Sequence, residues 1–129
     1  MGVKGGRHEQ SIRAVVPPAA GDGASCTGVD VTERLGSDSP FLDRLHPWAE
    51  NEDPGRELSP RRNEVWKPVI AAVHGMCAGG AFYWVADCDI VLCSEEATFF
   101  DPHVTYGFVA ALEPIALRYR MPFSDVMRM

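Results

Sequence analysis

The paired glycines Gly79 and Gly80 follow a short β-branched run, Val69 to Val73, and open a second apolar run, Ala81 to Ala86. A glycine pair between a strand and a helix leaves backbone N–H groups free at the positive end of the helix, where they bind an anion or a developing oxyanion. The same pair also serves close backbone packing alone, and the local sequence does not separate the two uses. His74 and Cys77 stand at a spacing seen in metal sites, but no second ligand pair follows at zinc-like spacing, so no metal is expected. Cys26, Cys77, Cys88 and Cys93 form no CxxC pair, and reduced thiols are the expectation. The patterns G-x-G-x-x-G, G-x-x-x-x-G-K-[ST] and G-x-S-x-G are all absent. Nucleotide binding through those loops and a serine nucleophile elbow therefore have no support.

The elements that must position such groups differ between the two halves of the chain. Residues 1–10 are polar and glycine-rich and read as a mobile leader. Ile12 to Val16 reads as a short buried strand, stopped by Pro17-Pro18. Ala19 to Asp30 is a loop of small residues. Residues 31–64 mix charge, proline and serine and read as an exposed excursion, ordered only in part. The second half is denser: a buried strand over Pro68 to Val73, a helix over Gly79 to Ala86, a second buried strand over Asp89 to Ser94 and a third over Ala97 to Phe100. Strand, helix and strand at this spacing form a crossover unit of an α/β fold. Glu113 to Met121 reads as a helix with Pro114 in its first turn, and Ser124 as the N-cap of another.

Composition limits the function classes. The chain has 129 residues, about one domain, and a formal net charge of −6, which disfavours nucleic acid or an anionic membrane surface as the main partner. Residues 68–86 carry no Asp, Glu, Lys or Arg, which is long enough to suggest a membrane span. Gly75 and the glycine pair interrupt that run and Asp87 and Asp89 follow it, so strand, loop and buried helix fit better. The first ten residues lack the apolar stretch of a secretory signal, and the expected location is cytoplasmic.

The segment Trp66 to Phe108 resembles the central part of the crotonase, or enoyl-CoA hydratase/isomerase, superfamily: KPVIAAV, a G-x-x-x-G-G segment, a helix, CDI, then A-x-F and a short loop ending in glycine. Upstream, IRAVV and the loop Gly21 to Asp30 are similar to the family's strand and its F-C-A-G-x-D loop. The resemblance covers Ile12 to Met129. It implies a ββα spiral fold, here a partial domain over 11–129, because family members carry a strand and helix before Ile12 and a helical region beyond Met129. It further implies an acyl-CoA thioester as ligand, with coenzyme A as part of the substrate and no separate cofactor, and a homotrimer or hexamer.

On the matching positions the resemblance implies that the backbone N–H groups of Val29 and Gly80 form an oxyanion hole, flanked by Gly28, Asp30 and Gly79. Two such donors stabilise the enolate that thioester chemistry creates. Phe82 and Phe100 are candidates for the acyl pocket, although core packing suits both. Where family hydratases carry two glutamates, this chain has Tyr83 and His103. A phenol is a poor base at neutral pH, whereas an imidazole exchanges protons there. Two acids stand nearby, Asp101 in the same loop and Glu113 at the start of the following helix; Glu113 is the best placed to shuttle a proton should it point inward, or else it stabilises its helix end. Pro17-Pro18 and Ser25 replace family residues and imply a weaker anchor for the loop carrying Val29. The expected function is that of an enoyl-CoA hydratase/isomerase-type enzyme; the alternative is an impaired remnant that binds acyl-CoA weakly or associates with full-length relatives.

Overall fold

The computed structural model describes residues 7–30 and 58–129. The strands are β1 (Ala24–Cys26), β2 (Ile70–Val73), β3 (Met76–Ala78), β4 (Ile90–Cys93) and β5 (Thr98–Phe100); the α-helices are α1 (Phe82–Asp87), α2 (Glu113–Ala116) and α3 (Phe123–Val126). Single 3-10 turns cover Gly79–Ala81, Val104–Tyr106 and Leu117–Tyr119. All named strand pairs are parallel, in two sheets ordered β1-β3-β5 and β2-β4.

Only His74 and Gly75 separate β2 from β3, yet the two strands belong to different sheets. Gly75 makes this corner: its φ is +56°, and a Cβ there would collide with the Gly23 carbonyl. Only glycine tolerates both conditions. The corner directs β2 to β4 on one side and delivers β3 between β1 and β5 on the other. Asp89 accounts for the charge after the apolar run: its carboxylate accepts the Val69 N–H at 2.8 Å while its own N–H donates to the Val69 carbonyl at 2.8 Å, locking β4 beside β2.

The core lies between β2, β3 and α1. Phe82 and Cys88 are fully buried, and Val69, Cys77, Ala81 and Leu117 are nearly so. Burying a phenylalanine side chain contributes about 1.5–3 kcal/mol, which makes Phe82 a main anchor of α1.

Several elements differ from the sequence expectations. Ile12–Val16 is not a strand; it makes one parallel bridge, Val15 to Val69, because Pro17 and Pro18 stop the ladder there. β4 is not buried: Ile90 and Leu92 are 49% and 59% exposed, since among the described residues nothing covers that face. The helix from Glu113 tightens into a 3-10 turn at Leu117. Ser124 lies inside α3, whose N-cap is Pro122. Residues 1–6 of the leader and 31–57 of the excursion lie outside the described residues. The end of the excursion is packed rather than exposed: Ser59, Pro60 and Asn63 are buried, and the Ser59 hydroxyl donates to the Asp87 carboxylate. No helix among the described residues is long and apolar enough to cross a membrane; residues 68–86 fold as strand, corner, strand and short helix.

All four thiols are free. Burial raises the Cys77 and Cys88 thiols to about 11. In the unfolded chain they ionise near the ordinary thiol value of ~8.5, so the folded state is favoured below that value and its advantage is lost as pH rises through about 11. Urea midpoints measured across this window are expected to fall with rising pH, and to fall less in a Cys88→Ala variant compared with its own midpoint at neutral pH.

Candidate active site

The parallel alignment of β1, β3 and β5 brings three chain segments to one edge. Cys26 pairs with Cys77, and Ala78 with Phe100, so the strands finish almost level. The segments leaving their carboxyl ends are Thr27-Gly28-Val29, Gly79-Gly80 and Asp101-Pro102-His103. Parallel sheets commonly present ligand sites at this edge. Here the segments line a cavity of about 270 Å³ completed by Phe100, Tyr106 and Phe108.

The first two segments touch through backbone. Gly28 has φ +89°, and a Cβ built on it would lie 3.2 Å from the Gly80 nitrogen and 3.7 Å from the Gly79 Cα. Only a glycine at position 28 lets the two loops approach this closely. The Gly80 N–H lies in the first turn of its helix, where no helical acceptor is available. Val29 follows Gly28 at the cavity wall with its side chain 44% exposed. Two loops carrying amides are therefore held together at the wall of one cavity.

Ser25 replaces the expected phenylalanine without loosening the loop. Its hydroxyl accepts the His74 N–H at 2.7 Å and donates to the His74 carbonyl at 2.9 Å. The His74 ring adds a hydrogen bond from Nε2 to the Gly21 carbonyl oxygen at 2.8 Å. Polar bonds to the residue before the Gly75 corner thus hold β1 where Ser25 stands in place of the family's phenylalanine.

His103 enters from the third segment. Its backbone carbonyl accepts N–H groups from Tyr106 at 3.0 Å and Phe108 at 2.9 Å, and Gly107 closes this turn at φ +78°. The ring lies between two carboxylates. Nδ1 hydrogen-bonds to Asp101 Oδ1, and Nε2 lies 3.2 Å from Glu113 Oε1. The Asp101 and Glu113 side chains are only 10% and 9% exposed. Buried carboxylates require partners, and His103 is a partner of both.

The remaining sequence candidates are distributed differently. Gly28, Val29, Gly79, Gly80, Phe100 and His103 line the cavity. Glu113 does not; it is buried at the start of α2, behind the imidazole. Phe82 is fully buried in the core on α1 and is not among the residues that line this cavity. Tyr83 is buried on α1 and Asp30 is exposed on its loop; neither is among the lining residues. The sequence reading missed Tyr106 and Phe108, whose only signal is their position just beyond a strand end. Among the described residues no group of three or more His, Cys, Asp or Glu side chains is arranged to hold a metal ion.

A family model described as enoyl-CoA hydratase/isomerase matches residues 3–129. The chain belongs to the enoyl-CoA hydratase/isomerase family. The similarity to other members of this family runs through the site segments. A solved enoyl-CoA hydratase/isomerase from Mycobacterium paratuberculosis is 34% identical, superposes with a TM-score of 0.75, and is matched over 98% of this chain and 45% of its own. The (E)-benzylidenesuccinyl-CoA hydratase of Thauera aromatica is 30% identical over 95% of this chain and 46% of its own length. The mevalonyl-coenzyme A hydratase of Aspergillus fumigatus is 54% identical over 57 residues, 44% of this chain and 21% of that protein. The chain thus spans less than half the length of these relatives. The fold is the α/β crotonase type shared by these hydratase structures.

A Gly28→Ala substitution is expected to strain the backbone and push the Gly28 and Gly80 loops apart, at a cost of ~1–3 kcal/mol. Differential scanning fluorimetry with and without coenzyme A thioesters checks this: a lower melting temperature together with loss of any ligand-induced rise is expected, whereas unchanged behaviour in both would contradict the role given to this contact.

Proposed function

We propose that the chain binds an acyl-CoA thioester in the cavity at the strand ends and stabilises its enolate, in a reaction of the enoyl-CoA hydratase/isomerase type. The observation that carries this reading is the contact of Gly28 with Gly79-Gly80, which holds the Val29 and Gly80 amides at one wall. Such a pair acts on charge that develops during reaction. Removing a proton from the carbon next to a thioester carbonyl, or adding the oxygen of water to the far carbon of the conjugated double bond, puts negative charge on the carbonyl oxygen, and fixed N–H donors stabilise that charge without reorganising. A lost donor in comparable sites costs about 2.7–4 kcal/mol in the barrier.

His103 is the proton-transfer group in this reading. Among the described lining residues the side chains able to act as acid or base are His103 and Tyr106, and an imidazole is the group most often used for proton transfer in catalysis. Removing a proton from water or from carbon and returning it elsewhere can be managed by one such group. Glu113 serves through His103 rather than by touching substrate. Tyr83 has no direct part in proton transfer, because it is not among the residues that line the cavity. Phe100, 39% exposed at the rim, contacts the acyl group. Coenzyme A enters and leaves as part of the substrate.

A second reading, acyl-CoA binding without efficient turnover, is favoured by one observation: both His103 nitrogens already face carboxylates. Crotonyl-CoA separates the two. Turnover by the purified chain, lowered about 10²-fold or more by His103→Ala and abolished by Gly80→Pro with the circular dichroism spectrum retained, is the expected result. Binding of crotonyl-CoA with no turnover would favour the second reading. Absence of binding would overturn both.

A further inference from the structure

We propose that Asp101 is a positioning residue that fixes both the orientation and the protonation pattern of His103. This rests on the proton-transfer role given to His103 above. A single oxygen, Asp101 Oδ1, accepts the backbone N–H of His103 at 3.1 Å and also meets His103 Nδ1. The carboxylate thereby closes a ring over its own loop and holds His103 by two bonds from one atom, one to the backbone N–H and one to the imidazole. Asp101 is itself fixed: it follows the last residue of β5, its backbone N–H donates to the Met129 carbonyl at 2.9 Å, and its side chain is 10% exposed.

The chemistry follows from the acceptor. An ionised carboxylate can only accept, so the Nδ1 partner must carry the proton. With Nδ1 protonated and bound to Asp101, the nitrogen free to exchange a proton is Nε2. Nε2 in turn faces Glu113 Oε1 at 3.2 Å. Glu113 is buried, and little of its surface reaches solvent to hold a charge cheaply. A single proton shared between Nε2 and Glu113 satisfies both groups: when it is on Nε2, the imidazolium faces two carboxylates, and when it is on Glu113, Nε2 is a neutral acceptor. Besides Asp101 and Glu113, the titratable group nearest along the loop is Tyr106, on the 3-10 turn that begins just beyond His103. Among the described residues no carboxylate lines the cavity wall. One histidine held between two buried carboxylates gives it a donor and an acceptor at one nitrogen.

The test reads the ring directly and needs no turnover. In 15N-labelled protein, two-dimensional spectra that correlate ring nitrogens with ring carbon-bound protons assign the tautomer, and the low-field proton spectrum reports the Nδ1–H bond. The expected result is a protonated Nδ1 with a strongly downfield proton in the wild type. In Asp101→Asn, which keeps an acceptor oxygen but removes the charge, that proton moves upfield; in Asp101→Ala it is lost to solvent exchange. Where the chain turns over crotonyl-CoA, Asp101→Asn is expected to lower kcat by about 10-fold or more with KM little changed, within the range that acid–base catalysis contributes. Asp101→Glu, which restores the charge, recovers part of it. A wild-type ring protonated at Nε2 alone, or an Nδ1 proton unaffected by Asp101→Asn, would overturn the proposal. A chain that shows the Asp101-dependent Nδ1 proton but no turnover would overturn the catalytic reading of His103 and leave the positioning role standing.

Discussion

The backbone contact between Gly28 and Gly79-Gly80 is the constraint on which the rest of the site depends. Two loops from different parts of the chain can share a cavity wall only if neither carries a Cβ at the point of contact. Gly28 meets this by adopting a left-handed backbone with the Gly80 nitrogen 3.2 Å from where a Cβ would stand. The sheet makes the meeting possible. β1, β3 and β5 are parallel and end nearly level, so the segments that leave them converge. The Gly75 corner places β3 between its neighbours, and Ser25 fastens β1 to that corner through the backbone of His74. Each of these features supports the position of an amide rather than a side chain, which is why Val29 can stand at the wall as an ordinary apolar residue.

The third segment supplies the charge. Asp101, His103 and Glu113 are largely withdrawn from solvent, and two buried carboxylates around one imidazole are tolerable only because each has a hydrogen-bonding or ionic partner. The loop geometry fixes the order of the three: Asp101 reaches the near nitrogen of the ring, and Glu113, arriving from α2, reaches the far one. The amide wall and the charged group are therefore built independently. They meet because β5 ends beside β3.

Much of this arrangement was legible in the residues. The glycine pair after a β-branched run, the Cys88-Asp89-Ile90 step and the acidic loop after Phe100 marked the strand ends, and the family resemblance assigned Val29 and Gly80. The misses have physical causes. Periodicity over a few apolar residues does not say which side of an element is covered, so β4 reads as buried although Ile90 and Leu92 are exposed. A loss of one anchor is visible in sequence, as at Ser25, but its replacement by hydrogen bonds to His74 depends on a corner brought close only by folding. The pairing of His103 with Glu113 joins residues from a loop and a later helix, and no local pattern encodes that distance.

The central claim is that the cavity polarises a thioester carbonyl through two backbone N–H groups. Isotope-edited infrared spectroscopy of crotonyl-CoA labelled with 13C at the thioester carbonyl, bound to the purified chain, measures that polarisation at the bond itself. A carbonyl stretch shifted clearly below its value in water is the result this account predicts, because two fixed, preorganised donors bind the oxygen more strongly than solvent does. A bound ligand whose carbonyl stretch stays at or above the aqueous value would contradict it.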